Sequence, residues 1–158
     1  MTWTARESPR NWYGVSSSSD GTKLVATVFG GQIYTSSDSG VTWTARESPR
    51  NWYGVSSSSD GTKLVATVYG GQIYMSTDSG MTWTALESLQ NWRYVAASSD
   101  GAKLAAVVNG GQIYTSSPNT TVGTTGSISG GQYDAIEIQF IGNNTFTVLS
   151  HEGDLICQ

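Results

Sequence analysis

The chain has 158 residues, 19 of them glycine, a formal net charge of −4 and a single cysteine, Cys157. That length fits one domain, and the acidic balance with scattered lysine and arginine excludes the basic stripe that nucleic-acid phosphates require. One cysteine excludes an intrachain disulfide, and no apolar run reaches the length of a membrane-spanning helix.

Residues 2–8 read as a strand with no segment before it to pair with. The forty residues Thr42–Met81 repeat Thr2–Val41, differing only at Phe29/Tyr69, Thr35/Met75, Ser37/Thr77 and Val41/Met81, and a looser third copy runs from Thr82 to Thr121. A fixed period of this length signals a repeat architecture. Within the first complete unit, Trp12–Ser18 is a strand and Asp20-Gly21 a hairpin turn, because glycine tolerates the positive φ of a tight turn. Lys23–Phe29 is the second strand, with Leu24, Ala26 and Val28 on one face by period two. Gly30-Gly31 turns the chain into a third strand, Gln32–Ser36, and Ser37–Gly40 turns it into a fourth, Thr42–Glu47. Pro49, with no N–H to give a ladder, interrupts pairing before the next unit.

The third unit has strands at Trp92–Ser98, Lys103–Asn109 and Gln112–Ser116, a degenerate turn Ser117-Pro118-Asn119-Thr120, and a fourth strand expected within Thr121–Ser129. The tail aligns with the repeat: Gln132–Ile136 falls on Asn11–Val15, Gly142 on Gly21, Phe146 on Leu24, Gly153 on Gly31 and Leu155-Ile156 on Ile33-Tyr34. It therefore supplies three strands of a fourth unit and lacks the one left over at the N-terminus. Four antiparallel strands per repeat form the blade of an all-β propeller. The expected domain is residues 1–158, with blades at 11–50, 51–90, 91–131, and 132–158 joined by 2–8. Sharing the last blade between the two ends removes free sheet edges. The same arithmetic is met by a four-bladed ring from one chain and by an eight-bladed ring from a homodimer exchanging N-terminal strands.

Ser36-Ser37-Asp38-Ser39-Gly40-Val41-Thr42-Trp43 and Ser76-Thr77-Asp78-Ser79-Gly80-Met81-Thr82-Trp83 both fit S-x-D-x-G-x-T-W, one repeat apart. On these motifs the chain resembles the Asp-box, or BNR-repeat, β-propellers, a group that includes sialidases, sortilin-type receptors and a photosystem assembly factor. The resemblance covers residues 2 to about 117. It implies a structural role for Ser36, Asp38, Gly40, Trp43, Ser76, Asp78, Gly80 and Trp83, with each aspartate capping its own turn and each tryptophan anchoring between blades. The third copy departs from the motif at Pro118.

A sialidase-like fold implies an arginine cluster, a tyrosine–glutamate pair and an aspartate on different blades. Here Arg6/Arg46, Arg10/Arg50 and Glu7/Glu47/Glu87 are the same positions repeated, and Arg46 and Arg50 become Leu86 and Gln90 in the third copy. Near-identical blades present one group around a ring, whereas an active site needs different groups converging. No enzyme is expected. His151 is the sole histidine, so no histidine metal cluster is expected and no cofactor. Cys157 has no histidine near it in sequence, and the glycine pairs precede no helix that would make a phosphate loop. Asn119-Thr120-Thr121 and Asn143-Asn144-Thr145 fit the N-glycosylation pattern, yet no signal-peptide pattern opens the chain, so a soluble protein is expected.

Propeller ligands meet the face made by blade-connecting loops and second-to-third strand turns. Those segments are Pro9–Tyr13 with Phe29–Gln32, Arg50–Tyr53 with Tyr69–Gln72, and Gln90–Arg93 with Asn109–Gln112. The candidate binding residues are Arg10, Asn11, Trp12, Gln32, Arg50, Asn51, Trp52, Gln72, Asn91, Trp92 and Gln112. Aromatic rings beside amides suit glycans, since sugar C–H faces stack on rings and amides read hydroxyls. The tryptophans equally suit inter-blade core. The expected function is a non-catalytic binding or scaffold module with a glycan or protein partner.

Overall fold

The computed structural model describes residues 1–116 and, beyond them, only the backbone of 128–129, 135–142, 145–152 and 156–157. The chain divides into two units, Met1–Ser117 and Pro118–Gln158. The described residues contain no helix.

In the first unit the strands are β1 (Trp12–Ser17), β2 (Leu24–Ser36), β3 (Thr44–Ser57), β4 (Leu64–Gly71), β5 (Ile73–Ser76), β6 (Thr84–Ala85), β7 (Gln90–Ala97), β8 (Leu104–Val108) and β9 (Ile113–Thr115). They form one antiparallel path, β1-β2-β3-β4-β7-β8-β9, with β5 on β4 and β6 on β5. The second repeat shows the repeating hairpin plainly: β4 reverses at Gly70, φ 70°, and pairs with β5 from Leu64↔Ser76 to Thr67↔Ile73. The first repeat runs through the equivalent residues as the single strand β2, with Gly30 at φ 72°.

Strand β3 serves two repeats. Thr44–Arg46 pairs with Ile33–Thr35, and Ser57 to Trp52 pairs with Leu64 to Val68. Between them the register jumps from Ile33↔Arg46 to Gly31↔Arg50, so three residues ending at Pro49 face the single residue Gln32. Glu47 carries φ 56° within that jump. The proline thus breaks the pairing without ending the strand.

The strand expected over 2–8 is not formed: residues 1–11 carry no strand and Trp3 is 93% exposed. Its counterpart Thr44–Arg46 is a strand because Ile33–Thr35 offers a template in its own repeat. Among the described residues no strand pairs with 2–8.

Period two places Leu24, Ala26 and Val28 on one face, but the opposite face is buried as well, with Val25 1% and Thr27 0% exposed. The reason is stacking: each second strand lies between its own repeat and the next. One apolar cluster joins Val25 and Ile33 of the first repeat to Trp52, Leu64, Ala66, Val68 and Tyr74 of the second. Another joins Val65 and Ile73 of the second to Trp92 and Ala106 of the third. Each fully buried aliphatic side chain contributes roughly 1.5–3 kcal/mol, so these two junctions hold the repeats together.

The second unit, described by itself, has β10 (Ile128–Ser129), β11 (Ala135–Gly142), β12 (Thr145–Glu152) and β13 (Ile156–Cys157). β11 and β12 form an antiparallel hairpin, and β10 pairs with β13. A strand lies at Ile128–Ser129, within 121–129, and its partner is β13; residues 121–127 lie outside the described residues. The degenerate turn at 117–120, the sequon at Asn119 and the turn asparagines Asn143 and Asn144 lie outside the described residues.

Candidate binding face

The first strand of each repeat alternates, and the alternation sorts the candidate residues. Trp52 and Trp92 point into the inter-repeat core at 0% and 1% exposure. Their indole N–H groups donate to the Ser48 and Ser88 carbonyls at 3.2 and 3.0 Å. Neither can stack on a ligand, which corrects the expectation for these two residues. Trp12 has the same place in the first repeat and is 36% exposed. It lines a cleft of about 610 Å³ with Trp3, Arg6, Glu7 and Trp43.

The arginines are also drawn into the fold. Arg10 lies over the Tyr34 ring and Arg50 over the Tyr74 ring, both at 4.9 Å. Each reaches its own glutamate, Glu7 or Glu47, at 3.9 Å. Gln32 donates its amide to the Glu47 carbonyl at 2.8 Å, bridging the register jump in β3. Gln72 is half-buried, whereas Asn11, Asn51, Asn91 and Gln112 are exposed.

The residue after each tryptophan faces the other way. Tyr13 and Tyr53 stand 4.6 Å apart between ring centroids, edge to face. Phe29 lies 5.2 Å from Tyr13. Tyr69 lies 6.3 Å and Tyr94 5.6 Å from Tyr53. Arg93 takes the tyrosine position in the third repeat and lies over both Tyr53 and Tyr69, at 4.8 and 5.1 Å. Its guanidinium also donates to the Tyr53 hydroxyl, and its Nε is buried with no partner among the described residues. The result is an aromatic face in which Tyr13, Phe29, Tyr53 and Tyr69 come from the segments expected to meet a ligand and Tyr94 lies one residue beyond them. Tyr13 and Tyr94 are 50% and 62% exposed. Period two from the tryptophans would have found Tyr13 and Tyr53; nothing in the pattern announces Tyr94, which replaces a glycine.

The S-x-D-x-G-x-T-W turns lie elsewhere and are closed on themselves. Ser36 Oγ donates to Asp38 Oδ1 at 2.8 Å, the Thr42 amide donates to Oδ1 at 2.9 Å and the Thr42 hydroxyl to Oδ2 at 2.6 Å. The Gly40 amide donates to Ser36 Oγ, and the Trp43 indole to the Gly40 carbonyl. Ser76, Asp78, Gly80, Thr82 and Trp83 repeat every one of these bonds. The threonine hydroxyl, the threonine amide and the serine hydroxyl hold both carboxyls near a pKa of about 2. Asp20 is lowered to about 2 in the same manner, first by Ser18, in the hairpin turn of the first repeat. Asp60 and Asp100 are lowered too, by Ser58 and Ser98 first. These carboxylates are ionised acceptors committed to backbone geometry, and a general acid needs a raised pKa. No group of three His, Cys, Asp or Glu among the described residues is placed to hold a metal ion. No helix among them is long and apolar enough to cross a membrane.

No protein-family model and no curated protein matches the chain. Solved structures do. The GH74 enzyme of Niastella koreensis is 28% identical with a TM-score of 0.54, over 68% of this chain and 16% of that one. YCF48 bound to D1 peptide is 18% identical with a TM-score of 0.58, over 68% and 38%. The β-propeller domain of Cps50 (Swd1) from Myceliophteria thermophila is 13% identical with a TM-score of 0.57, over 71% and 37%. These neighbours are β-propellers, and the chain has that fold; it spans well under half the length of each.

Proposed function

We propose that the chain is a non-catalytic binding module whose ligand lies across the aromatic face of Tyr13, Phe29, Tyr53, Tyr69 and Tyr94. The observation that carries this reading is the ring contact between successive repeats, Tyr13 to Tyr53 to Tyr94, which leaves large amphipathic surfaces at the solvent edge of a rigid sheet. Such rings give contact area at low entropic cost. The neutralised catalytic prospects of the turn aspartates support a binding role over an enzymatic one. The paired S-x-D-x-G-x-T-W turns, identical in bonding, support membership of the Asp-box propellers.

A protein partner is the first reading, in keeping with the neighbour described bound to a peptide. A glycan is the second, favoured by the exposed Asn11, Asn51 and Asn91 amides beside the rings. A glycan array and a pull-down with the full chain separate them. Binding on either platform should fall about tenfold or more with Tyr53→Ala and should survive Asp38→Asn. Silence on both platforms, or binding indifferent to Tyr13→Ala and Tyr53→Ala, would overturn the proposal. Cleavage of fluorogenic sialosides would overturn its non-catalytic part.

A further inference from the structure

The junction of the first and second repeats and that of the second and third are held alike. Thr27 Oγ1 accepts from the Gly14 amide at 3.0 Å and donates to the Tyr53 carbonyl at 2.7 Å. Thr67 repeats this with Gly54 and Arg93, at 2.8 and 2.7 Å. Lys23 and Lys63 donate to the Asp60 and Asp100 carbonyls of the following repeat, at 3.0 and 2.9 Å. Gly61 and Gly101 leave room for those lysine stems: a Cβ on Gly61 would lie 2.8 Å from the Lys23 Cβ and Cδ, and one on Gly101 2.9 Å from those of Lys63.

The junctions differ at one cleft. Between the first and second repeats a space of about 290 Å³ is lined by Lys23, Thr35, Thr44, Arg46, Ser57 and Asp78, among others. Arg46 Nε donates to Thr35 Oγ1 at 3.1 Å, which fixes the guanidinium and leaves the threonine O–H to donate elsewhere. The terminal N–H groups of Arg46 have no hydrogen-bond partner among the described residues, and neither Arg46 nor Lys23 forms an ion pair among them. Asp78 is already taken up by Ser76 and Thr82, at 2.5–2.9 Å. Two cations and one carboxylate leave the lining with a charge of +1 on a chain of −4.

The second junction carries apolar residues at the same positions. Met75 stands where Thr35 stands, Leu86 where Arg46 stands and Ala97 where Ser57 stands, while Lys63 keeps the place of Lys23. Thr35/Met75 is one of only four differences between the first two forty-residue copies, and it changes together with the partner of its hydrogen bond. The fold is satisfied by methionine and leucine at this place, so packing alone does not call for Thr35 and Arg46.

We propose that this cleft binds a phosphate group. Arg46 supplies paired N–H donors in the fork that suits a phosphate, Lys23 supplies a point charge on a stem held against Gly61, and the Thr35 hydroxyl donates a further bond. None of the lining residues belongs to the aromatic face, so this site stands apart from the one proposed above.

The test is amide NMR on the full chain with inorganic phosphate and with glucose 6-phosphate. Both should produce saturable shifts around Lys23, Thr44 and Ser57, with a Kd of about 1 mM or tighter, and the affinity should fall with added sodium chloride. Thr35→Met with Arg46→Leu installs the pair that the second repeat already folds with, and should weaken binding about tenfold or more. Lys103→Met removes the same charge outside the cleft and should leave the affinity within about twofold. Tighter binding of glucose 6-phosphate supports a phosphate ester as the ligand, and equal affinity supports the free ion. Absence of a saturable shift with both probes would overturn the proposal. So would binding that the double variant leaves unchanged, or that Lys103→Met removes to the same extent. Should the double variant not fold, Arg46→Gln keeps a donor for Thr35 while losing the charge, and unchanged affinity in it refutes the site equally.

Discussion

Trp12 and Trp52 occupy one position of two nearly identical repeats, yet the first is 36% exposed and the second fully buried. The flanking sequence is the same on both sides; what differs is that Trp52 shares an apolar cluster with Val25 and Ile33 of the repeat before it. Trp52→Ala should therefore cost about 3–5 kcal/mol, and Trp12→Ala about 1 kcal/mol or less. Urea unfolding of the two variants measures the difference. Acrylamide should quench the fluorescence lost with Trp12 and spare that lost with Trp52.

Thr67 carries two bonds from one buried hydroxyl. Thr67→Val keeps the shape and strands the Gly54 amide and the Arg93 carbonyl. The expected loss is about 1–3 kcal/mol, read as a lower urea midpoint with an unchanged slope. Thr67→Ser, which keeps the hydroxyl, should recover most of it.

Glycines in the first unit are held for two different reasons. At Gly54 the space is taken, with backbone oxygen 2.6 Å from a would-be Cβ; Gly54→Ala should cost roughly 1–3 kcal/mol through forced displacement of β7. At Gly21 the space is open but φ is 72°, so Gly21→Ala should cost about 1 kcal/mol from backbone conformation alone. Thermal melts of the two variants should rank them in that order, and hydrogen exchange in β7 should rise only for Gly54→Ala.

Acid should loosen the S-x-D-x-G-x-T-W turns in a defined window. Asp38 and Asp78 fall from the ordinary 3.8 to about 2 when folded, chiefly through the Thr42 and Thr82 hydroxyls. A depressed folded pKa means the stabilisation is complete above the unfolded value and is lost as pH falls from about 4 towards 2. Melting temperature should drop across that window. The drop should be shallower in Asp38→Asn/Asp78→Asn, which starts lower because its turns have lost the charge-assisted acceptors.

Much of this arrangement is legible from the chain. The period and the Asp-Gly and Gly-Gly pairs place the strands because those turns demand φ values that few other residues accept. The bonding of Asp38 and Asp78 follows from a short carboxylate with amides and hydroxyls two and four residues away. The orientation of Trp52 does not follow, since an apolar ring at a strand start satisfies both a core and a sugar platform. Only the neighbouring repeat decides. The missing strand at 2–8 shows the same limit: Thr44–Arg46 has identical residues but also Ile33–Thr35 beside it. Tyr94 is not legible in advance, because one substitution in a loose copy carries no periodic signature.

The bridge from Thr27 to Tyr53 recurs from Thr67 to Arg93, and its acceptor is a main-chain oxygen each time. A contact written in main-chain atoms does not care which side chain the receiving unit bears. Exchange of the receiving residue's side chain therefore leaves this bond in place, provided the donor keeps its glycine and threonine. Tyrosine at 53 and arginine at 93 are the case in point: different side chains stand on the outer face over the same carbonyl contact.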